Sequence, residues 1–455
     1  MSSAPRIRHC ILLFLTVLAL SPFAFPLEKQ PAAVYRARRV ALAAKLHGGA
    51  AILFAAGEGQ LDFMPYRQDE DFYYLTGWNE PGAALLIVGN DAQMQPARAY
   101  SEILFLPTRN LRMEKYTGVK LDAAAPGAAQ IAGVDAVEPM TALPEALNKL
   151  IDAGGVNDRR LTRNLWSQPG AAQANELLGF LASTLGSETA PAAHDVTRPI
   201  AELRQVKDEG EIALLRKAGD ASIAGQLVLF KAVHPGVTER AVAGKMMAAW
   251  LENGCERPSY APIVGSGINS TILHYSENAR TMEDGELLLV DAACEYSMYA
   301  SDITRTLPVN GHFTARQREI YDIVLGAQQA AIDAFVAGKS KINDRDRKDP
   351  DSLDNAAYNY INTHGKALDG QPLGKYWLHG LGHMVGIAVH DPADYPAVLK
   401  PGMVFTIEPG VYIPEEKIGV RIECTFLVGA DGKLIDLEAA LPHSAEDVEA
   451  AMKAK

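Results

Sequence analysis

Four carboxylates and one histidine, Asp291, Asp302, Glu408, Glu423 and His383, stand at or beside the ends of apolar runs in this chain. Leu287–Val290 runs into Asp291, Met403–Ile407 runs into Glu408, and the extended stretches 299–308 and 420–428 contain Asp302 and Glu423. A charged group is least welcome there, because burying an unpaired carboxylate costs several kcal/mol. No nearby run of Lys or Arg can neutralise all four. Two divalent cations can, and any fold that gathers these strand ends around them solves the problem. The pattern therefore predicts a dinuclear metal centre and hydrolysis by metal-activated water.

At 455 residues the chain exceeds one ordinary core, so two domains are expected. A hydrophobic content of 48% with 22% charged residues is that of a soluble globular protein. The net charge of -12 argues against nucleic acid or an anionic membrane as partner. The N-terminus reads differently. Arg6, Arg8 and His9 precede an apolar stretch from Cys10 to Leu20, and Ser21-Pro22 follow. That is the layout of a secretory signal over residues 1–25, with Ala24 one cleavage candidate. The stretch is short of the roughly 20 apolar residues of a transmembrane helix. An exported protein, periplasmic or secreted, is expected, with no stable membrane insertion once the signal is removed. Of four cysteines, Cys10 lies in the signal. The remaining Cys255, Cys294 and Cys424 are odd in number and scattered, which is no disulfide framework. A bridge or soft-metal ligation is open to Cys294 and Cys424, but small buried apolar residues is the expected reading.

Residues 30–195 alternate helical and strand patterns. Tyr35–Leu46 reads as a helix; Ala50–Ala55, Asp71–Gly77, Ala83–Val88 and Ile103–Leu106 read as strands, with a turn at Asn79-Glu80-Pro81-Gly82. A small α/β domain is expected, used for substrate gating or oligomerisation. It shows no Gly-rich phosphate loop and no nucleophile elbow. A boundary falls near 191–205. Asp208 and Glu211 then have capping-box spacing before a helix with Ile212, Leu215, Ile223 and Leu227 at apolar positions, ended by Pro235-Gly236. Residues 200–455 hold all the notable motifs. Within them, 339–352 reads as a solvated charged loop with no function implied.

A hairpin turning at Glu295-Tyr296-Ser297 brings Asp291 and Asp302 together. Two carboxylates that close cannot both ionise cheaply without a cation. Along 420–428, Val420, Ile422 and Cys424 point one way and Arg421 and Glu423 the other, so a simple Arg421–Glu423 salt bridge is an alternative reading. His379-Gly-Leu-Gly-His383 has the spacing of a zincin helix but lacks its Glu, and two glycines disfavour helix. A loop carrying His379, His383 and His390 into one site fits better; His274 is a weaker addition. Hard oxygen donors favour Mn²⁺, with Zn²⁺ or Co²⁺ geometrically acceptable. A hydroxide between the ions would be the nucleophile, and neutral imidazoles would steady the intermediate and protonate the leaving nitrogen.

These stretches resemble the aminopeptidase P (Xaa-Pro aminopeptidase) family of pita-bread metallopeptidases. The matching segments are Leu273-His-Tyr-Ser-Glu-Asn278, Asp291-Ala-Ala-Cys-Glu-Tyr296, Ser301-Asp-Ile-Thr-Arg-Thr306, His379–His383, Thr406-Ile-Glu-Pro-Gly410 and Val420-Arg-Ile-Glu423. Pro65-Tyr-Arg-Gln-Asp69 and Asp71–Pro81 extend the likeness into the first region, so it covers nearly everything after the signal. The resemblance implies a pita-bread (creatinase/aminopeptidase) catalytic domain over 200–455, a curved six-stranded α/β sheet. A smaller α/β ribonuclease-H-like N-terminal domain over 30–195 would precede it. It implies five metal ligands: Asp291 on one ion, His383 and Glu408 on the other, Asp302 and Glu423 bridging. Glu408 would also shuttle a proton. His274 and His390 would stabilise the intermediate, and His379 and Arg421 would line the proline side of the pocket. Two Mn²⁺ ions, Xaa-Pro peptides as substrates and a homo-oligomer (dimer or tetramer) follow from the same likeness.

Some features depart from the family pattern. Cys424 replaces the acid usual after the second Glu, the turn near residue 337 lacks Pro-Gly, and the export signal is unusual. Xaa-Pro dipeptidase uses the same metal site and stays open as an alternative. A metal-free binding protein on the same fold is the alternative from another class, but all five ligands are present here. Methionine aminopeptidase shares the catalytic fold but lacks the extra N-terminal domain.

Overall fold

The computed structural model describes residues 27–57, 64–92, 97–153, 165–168, 194–344, 346–393 and 397–453. The expected signal segment, with Cys10 and Ala24, lies outside them. No helix among the described residues is long and apolar enough to cross a membrane.

The first region is built on a six-stranded mixed sheet. Helix α1 (Ala32–Lys45) leads into β1 (Ala50–Phe54), which pairs antiparallel with β2 (Ala84–Val88). β2 pairs antiparallel with β3 (Ser101–Leu106), and β4 (Ala136–Pro139) adds parallel to β3. On the other side β5 (Leu165–Ser167) and β6 (His194–Asp195) continue the sheet in parallel, giving the order β4-β3-β2-β1-β5-β6. Every residue of β1 and β2 is buried, because helices cover both faces.

The run read above as a strand over Asp71–Gly77 is a helix, α2 (Glu70–Thr76). Asp69 caps it by accepting from the Phe72 amide at 2.9 Å, and Gly77 ends it in the left-handed conformation at φ 61°. Phe72, Tyr73, Tyr74, Leu75 and Thr76 are all buried, so no apolar periodicity remained to reveal the helix.

The helix expected from the Asp208 capping box is present as Glu209–Ala232, with both reciprocal bonds made. Its buried stripe runs through Leu214, Leu215, Ala218 and Leu229; Leu227, expected inside, is 46% exposed. Beyond it the described strands pair as three three-stranded sheets and one two-stranded ribbon. In one, β9 (Leu287–Asp291) lies between β8 (Ile263–Ser266) and β12 (Thr304–Pro308). In a second, β16 (Cys424–Val428) lies between β13 (Val404–Ile407) and β17 (Leu434–Asp436). β14 (Gly410–Ile413) and β15 (Ile418–Arg421) form a two-stranded ribbon. β7 (Arg257–Pro258), β10 (Cys294–Tyr296) and β11 (Tyr299–Ala300) form a third small sheet.

Two runs read as continuous strands are broken, and both breaks hold a site residue. Asp302 falls between β11 and β12, and Glu423 between β15 and β16. A break frees a side chain from the alternation of the pleat and lets it turn toward a centre off the sheet face.

Cys255 and Cys294 form a disulfide, which overturns their expected reading as unbridged buried residues. It ties the segment after the helix Glu239–Glu252 to β10, one strand beyond Asp291. Two cysteines 39 residues apart carry no spacing signal, so only the fold reveals the pair. Cys424 stays a free, buried thiol.

The two regions are joined by buried ion pairs. Arg204 contacts Asp71 at 2.7 Å and Asp391 at 2.6 Å, and Lys207 reaches Asp391 at 3.0 Å. Arg67 meets Glu295 at 2.7 Å.

Candidate metal centre and substrate cavity

The strand pairing explains why the acidic residues meet. In the β9–β12 register Asp291 faces Thr304, two residues past Asp302. In the β13–β16 register Ile407 faces Cys424, so Glu408 and Glu423 emerge side by side just beyond the last pair. Both sheets therefore end at one place.

The His379–His383 segment is a loop, as its glycines predicted, and it is pinned along β13. The Thr406 amide donates to the His383 carbonyl at 2.9 Å, and the Glu408 amide to the Leu381 carbonyl at 2.9 Å. The close approach needs Gly382: a Cβ there would collide with the Thr406 carbonyl. His383 donates from Nδ1 to the Met384 carbonyl at 3.1 Å, which turns Nε2 inward. That nitrogen lies 3.3 Å from Asp302 and 3.5 Å from Glu408.

Asp302, His383 and Glu423 bring donor atoms within 4.8 Å of one another. All five expected ligands line a cavity of about 530 Å³, and so do His274, His379, His390 and Arg421. The structure thus brings every one of the nine expected site residues to one place. The simple Arg421–Glu423 salt bridge is not formed; Arg421 instead donates to Asp291 Oδ2 at 2.5 Å and to the Tyr412 hydroxyl at 2.7 Å.

Four further residues hold the site, and sequence reasoning passed over them. Tyr260 donates to Asp302 at 2.6 Å, and Thr304 donates to Glu423 at 2.7 Å. The Tyr412 hydroxyl lies 2.8 Å from His379 Nε2. Asn343 accepts from the Leu381 amide at 2.7 Å and donates to the Gly382 carbonyl at 2.6 Å, bracing the histidine loop. Asn343 corrects the reading of 339–352 as a loop without a role. Lone Tyr, Thr and Asn residues carry no spacing signal; only the Thr304 position, two after Asp302 in a matched segment, could have been flagged.

The electrostatics are those of a site missing positive charge. Burial pushes Asp291 up despite Arg421, and pushes Glu423 well above the carboxylate range with help from Asp302 and Glu408. Burial also raises Glu408, to about 7, against the pull of His383 and Arg421. His383 is drawn down by burial but lifted further by Asp302 and Glu408, to about 9. Burial and the Arg421 charge hold His379 neutral at about 4, and burial with His383 lowers His390. Asp291 Oδ1 is buried with no hydrogen-bond partner among the described residues. An orphaned carboxylate oxygen beside carboxylates that resist ionisation fits a divalent-cation site.

Comparison with known proteins agrees with this geometry. Residues 213–430 match the model of metallopeptidase family M24, and residues 35–157 match that of the aminopeptidase P N-terminal domain. The Xaa-Pro aminopeptidase of Haemophilus influenzae is 33% identical over 93% of this chain and 98% of its own length. The solved proline aminopeptidase P II of Yersinia pestis is 34% identical, covers 93% of this chain and 99% of its own, and superposes with a TM-score of 0.81. A Zn-substituted Escherichia coli aminopeptidase P in complex with product matches at 32% identity over the same shares, with a TM-score of 0.78. The chain belongs to the aminopeptidase P branch of metallopeptidase family M24, and it is a metal-dependent exopeptidase.

Proposed function

We propose that the chain is a dinuclear, Mn²⁺-dependent Xaa-Pro aminopeptidase that releases the N-terminal residue of peptides with proline in second position. The observation that carries this reading is the convergence of Asp291, Asp302, His383, Glu408 and Glu423 on one cavity beside the unpartnered Asp291 Oδ1. The names of relatives alike over their full length support the bond specificity. Asp291 would hold one ion, His383 and Glu408 the other, and Asp302 and Glu423 both. The ions, when bound, supply an acidified water and polarise the scissile carbonyl.

The chain's own groups do the rest. Tyr260 and Thr304 fix the carboxylates Asp302 and Glu423 by donating to them. Glu408 would take a proton at its carboxylate and return it to the leaving nitrogen. His274 and His390 line the cavity, where their imidazoles would hydrogen-bond the intermediate. His379 and Arg421, both tied to Tyr412, shape the proline side. Acid donors at this density favour a hard ion, which supports Mn²⁺. The protein is exported to the periplasm or beyond, a reading supported by the Cys255–Cys294 disulfide, since such bonds persist in oxidising compartments. It works as a homo-oligomer, a dimer or tetramer.

Parallel assays of an Xaa-Pro-Xaa tripeptide and an Xaa-Pro dipeptide test the specificity. Turnover of the tripeptide is expected. Activity confined to the dipeptide would make the chain a dipeptidase instead.

A further inference from the structure

On the side of β16 away from the cavity, three donors of different chemistry converge. Cys424 Sγ lies 2.9 Å from His443 Nε2, and Asp436 Oδ2 lies 3.6 Å from the same nitrogen. All three ligand atoms fall within 4.8 Å of one another. They come from three places: the start of β16, the end of β17 and the segment before the C-terminal helix Ala445–Lys453. None of the three lines the catalytic cavity. We propose that Cys424, Asp436 and His443 form a second metal site, separate from the catalytic pair, that takes a single thiophilic divalent cation such as Zn²⁺ or Cd²⁺.

The donor set suits such an ion. Thiolate, imidazole and carboxylate are the protein ligands of tetrahedral zinc sites that leave one position for water. The softness of sulfur separates this site from the all-oxygen and nitrogen set in the cavity, so Mn²⁺ belongs in one and Zn²⁺ in the other. Access is built in. Cys424 is fully buried, but the His443 and Asp436 side chains are 27% and 23% exposed, leaving an entry from solvent to the thiol.

One group competes for the same space. Arg305 Nη2 sits 3.1 Å from His443 Nε2 and 3.6 Å from Cys424 Sγ. Its other nitrogens are held by backbone carbonyls: Thr304 at 3.0 Å, Glu423 at 2.7 Å and Pro442 at 3.0 Å. Arg305 thus keeps its anchorage when Nη2 gives way. Binding ionises the thiol to a thiolate and sends its proton to solvent. Thiolate and Asp436 together outweigh the guanidinium by one negative charge, so the donor set has the sign that attracts a cation.

The test uses Mn²⁺-loaded enzyme without reductant, titrated with Cd²⁺ while the ultraviolet thiolate-to-cadmium charge-transfer band is followed. In the mature enzyme, freed of the segment that carries Cys10, the disulfide offers no thiolate and the catalytic ligands contain no sulfur. The band is expected to saturate at one Cd²⁺ per chain and to be absent in Cys424→Asp. That variant sets a carboxylate beside Arg305, and circular dichroism checks its fold. In His443→Gln the cadmium affinity is expected to fall at least about tenfold. No band in the native enzyme, an equal band in Cys424→Asp, or an unchanged affinity in His443→Gln would each overturn the proposal, the last by leaving only a bare thiol.

Discussion

Arg421 Nη2 lies 2.5 Å from Asp291 Oδ2, while Oδ1 of the same carboxylate is buried with no hydrogen-bond partner among the described residues. The guanidinium satisfies half of the carboxylate and leaves the other half facing the cavity. Arg421 is itself fixed by Tyr412 and by Thr304 Oγ1 at 3.1 Å. A cation completes this arrangement, and Arg421 orients Asp291 for it.

Arg421→Met therefore strips a buried carboxylate of its guanidinium partner. A cost of about 3–5 kcal/mol is expected for the metal-free protein, because the remaining charge is left uncompensated. Chemical denaturation in the presence of chelator measures it. Added metal recovers part of the loss.

Asp302→Asn is expected to lower kcat/KM by more than about 100-fold, equivalent to roughly 3 kcal/mol in the barrier. Asp302 contacts His383 and Tyr260 inside the cavity. Glu277→Gln, at an exposed position in the separate stretch 273–278, should change it little. Comparable losses in steady-state kinetics would remove Asp302 from the metal set.

The metal-free protein should lose stability as pH rises from about 6.5 to about 9. His383 is raised from its ordinary value to about 9, and Glu408 to about 7. A group raised in the folded state adds stability below its unfolded pKa and loses it as pH climbs through the folded one. His379, lowered to about 4, acts oppositely, but only between about 4 and 6.5. Across the upper window His383 sets the sign, with at most about 3 kcal/mol at stake. Melting temperature against pH with chelator should fall there. With metal bound it should not, because binding needs both groups deprotonated.

Reducing the Cys255–Cys294 bond should cost about 4 kcal/mol by the loop-entropy relation for its 39-residue separation. Denaturation midpoints with and without reductant give the value. Thiol counting on the mature protein without reductant should find one free cysteine, Cys424.

The five strand-end residues were legible because burying charge without compensation is costly, so their placement at the ends of apolar runs already implied a shared counter-charge. The histidine loop was legible from its glycines. The helix Glu70–Thr76 was not, because residues buried on every side show no period. The breaks that carry Asp302 and Glu423 were also hidden, since an extended chain reads the same whether or not its ladder continues. Tyr260, Thr304, Tyr412 and Asn343 act through hydrogen bonds across 9 to 119 residues of sequence, a separation that leaves no local pattern. The Cys255–Cys294 bond was hidden for the same reason.

The central claim is that two cations held by Asp291, Asp302, His383, Glu408 and Glu423 make this chain a peptidase. The direct test is to strip the enzyme with chelator and titrate Mn²⁺ back while following release of the N-terminal residue from an Xaa-Pro-Xaa tripeptide. Activity should vanish in the stripped enzyme, return with Mn²⁺ and saturate at two ions per chain. Full activity after complete metal removal would contradict the account.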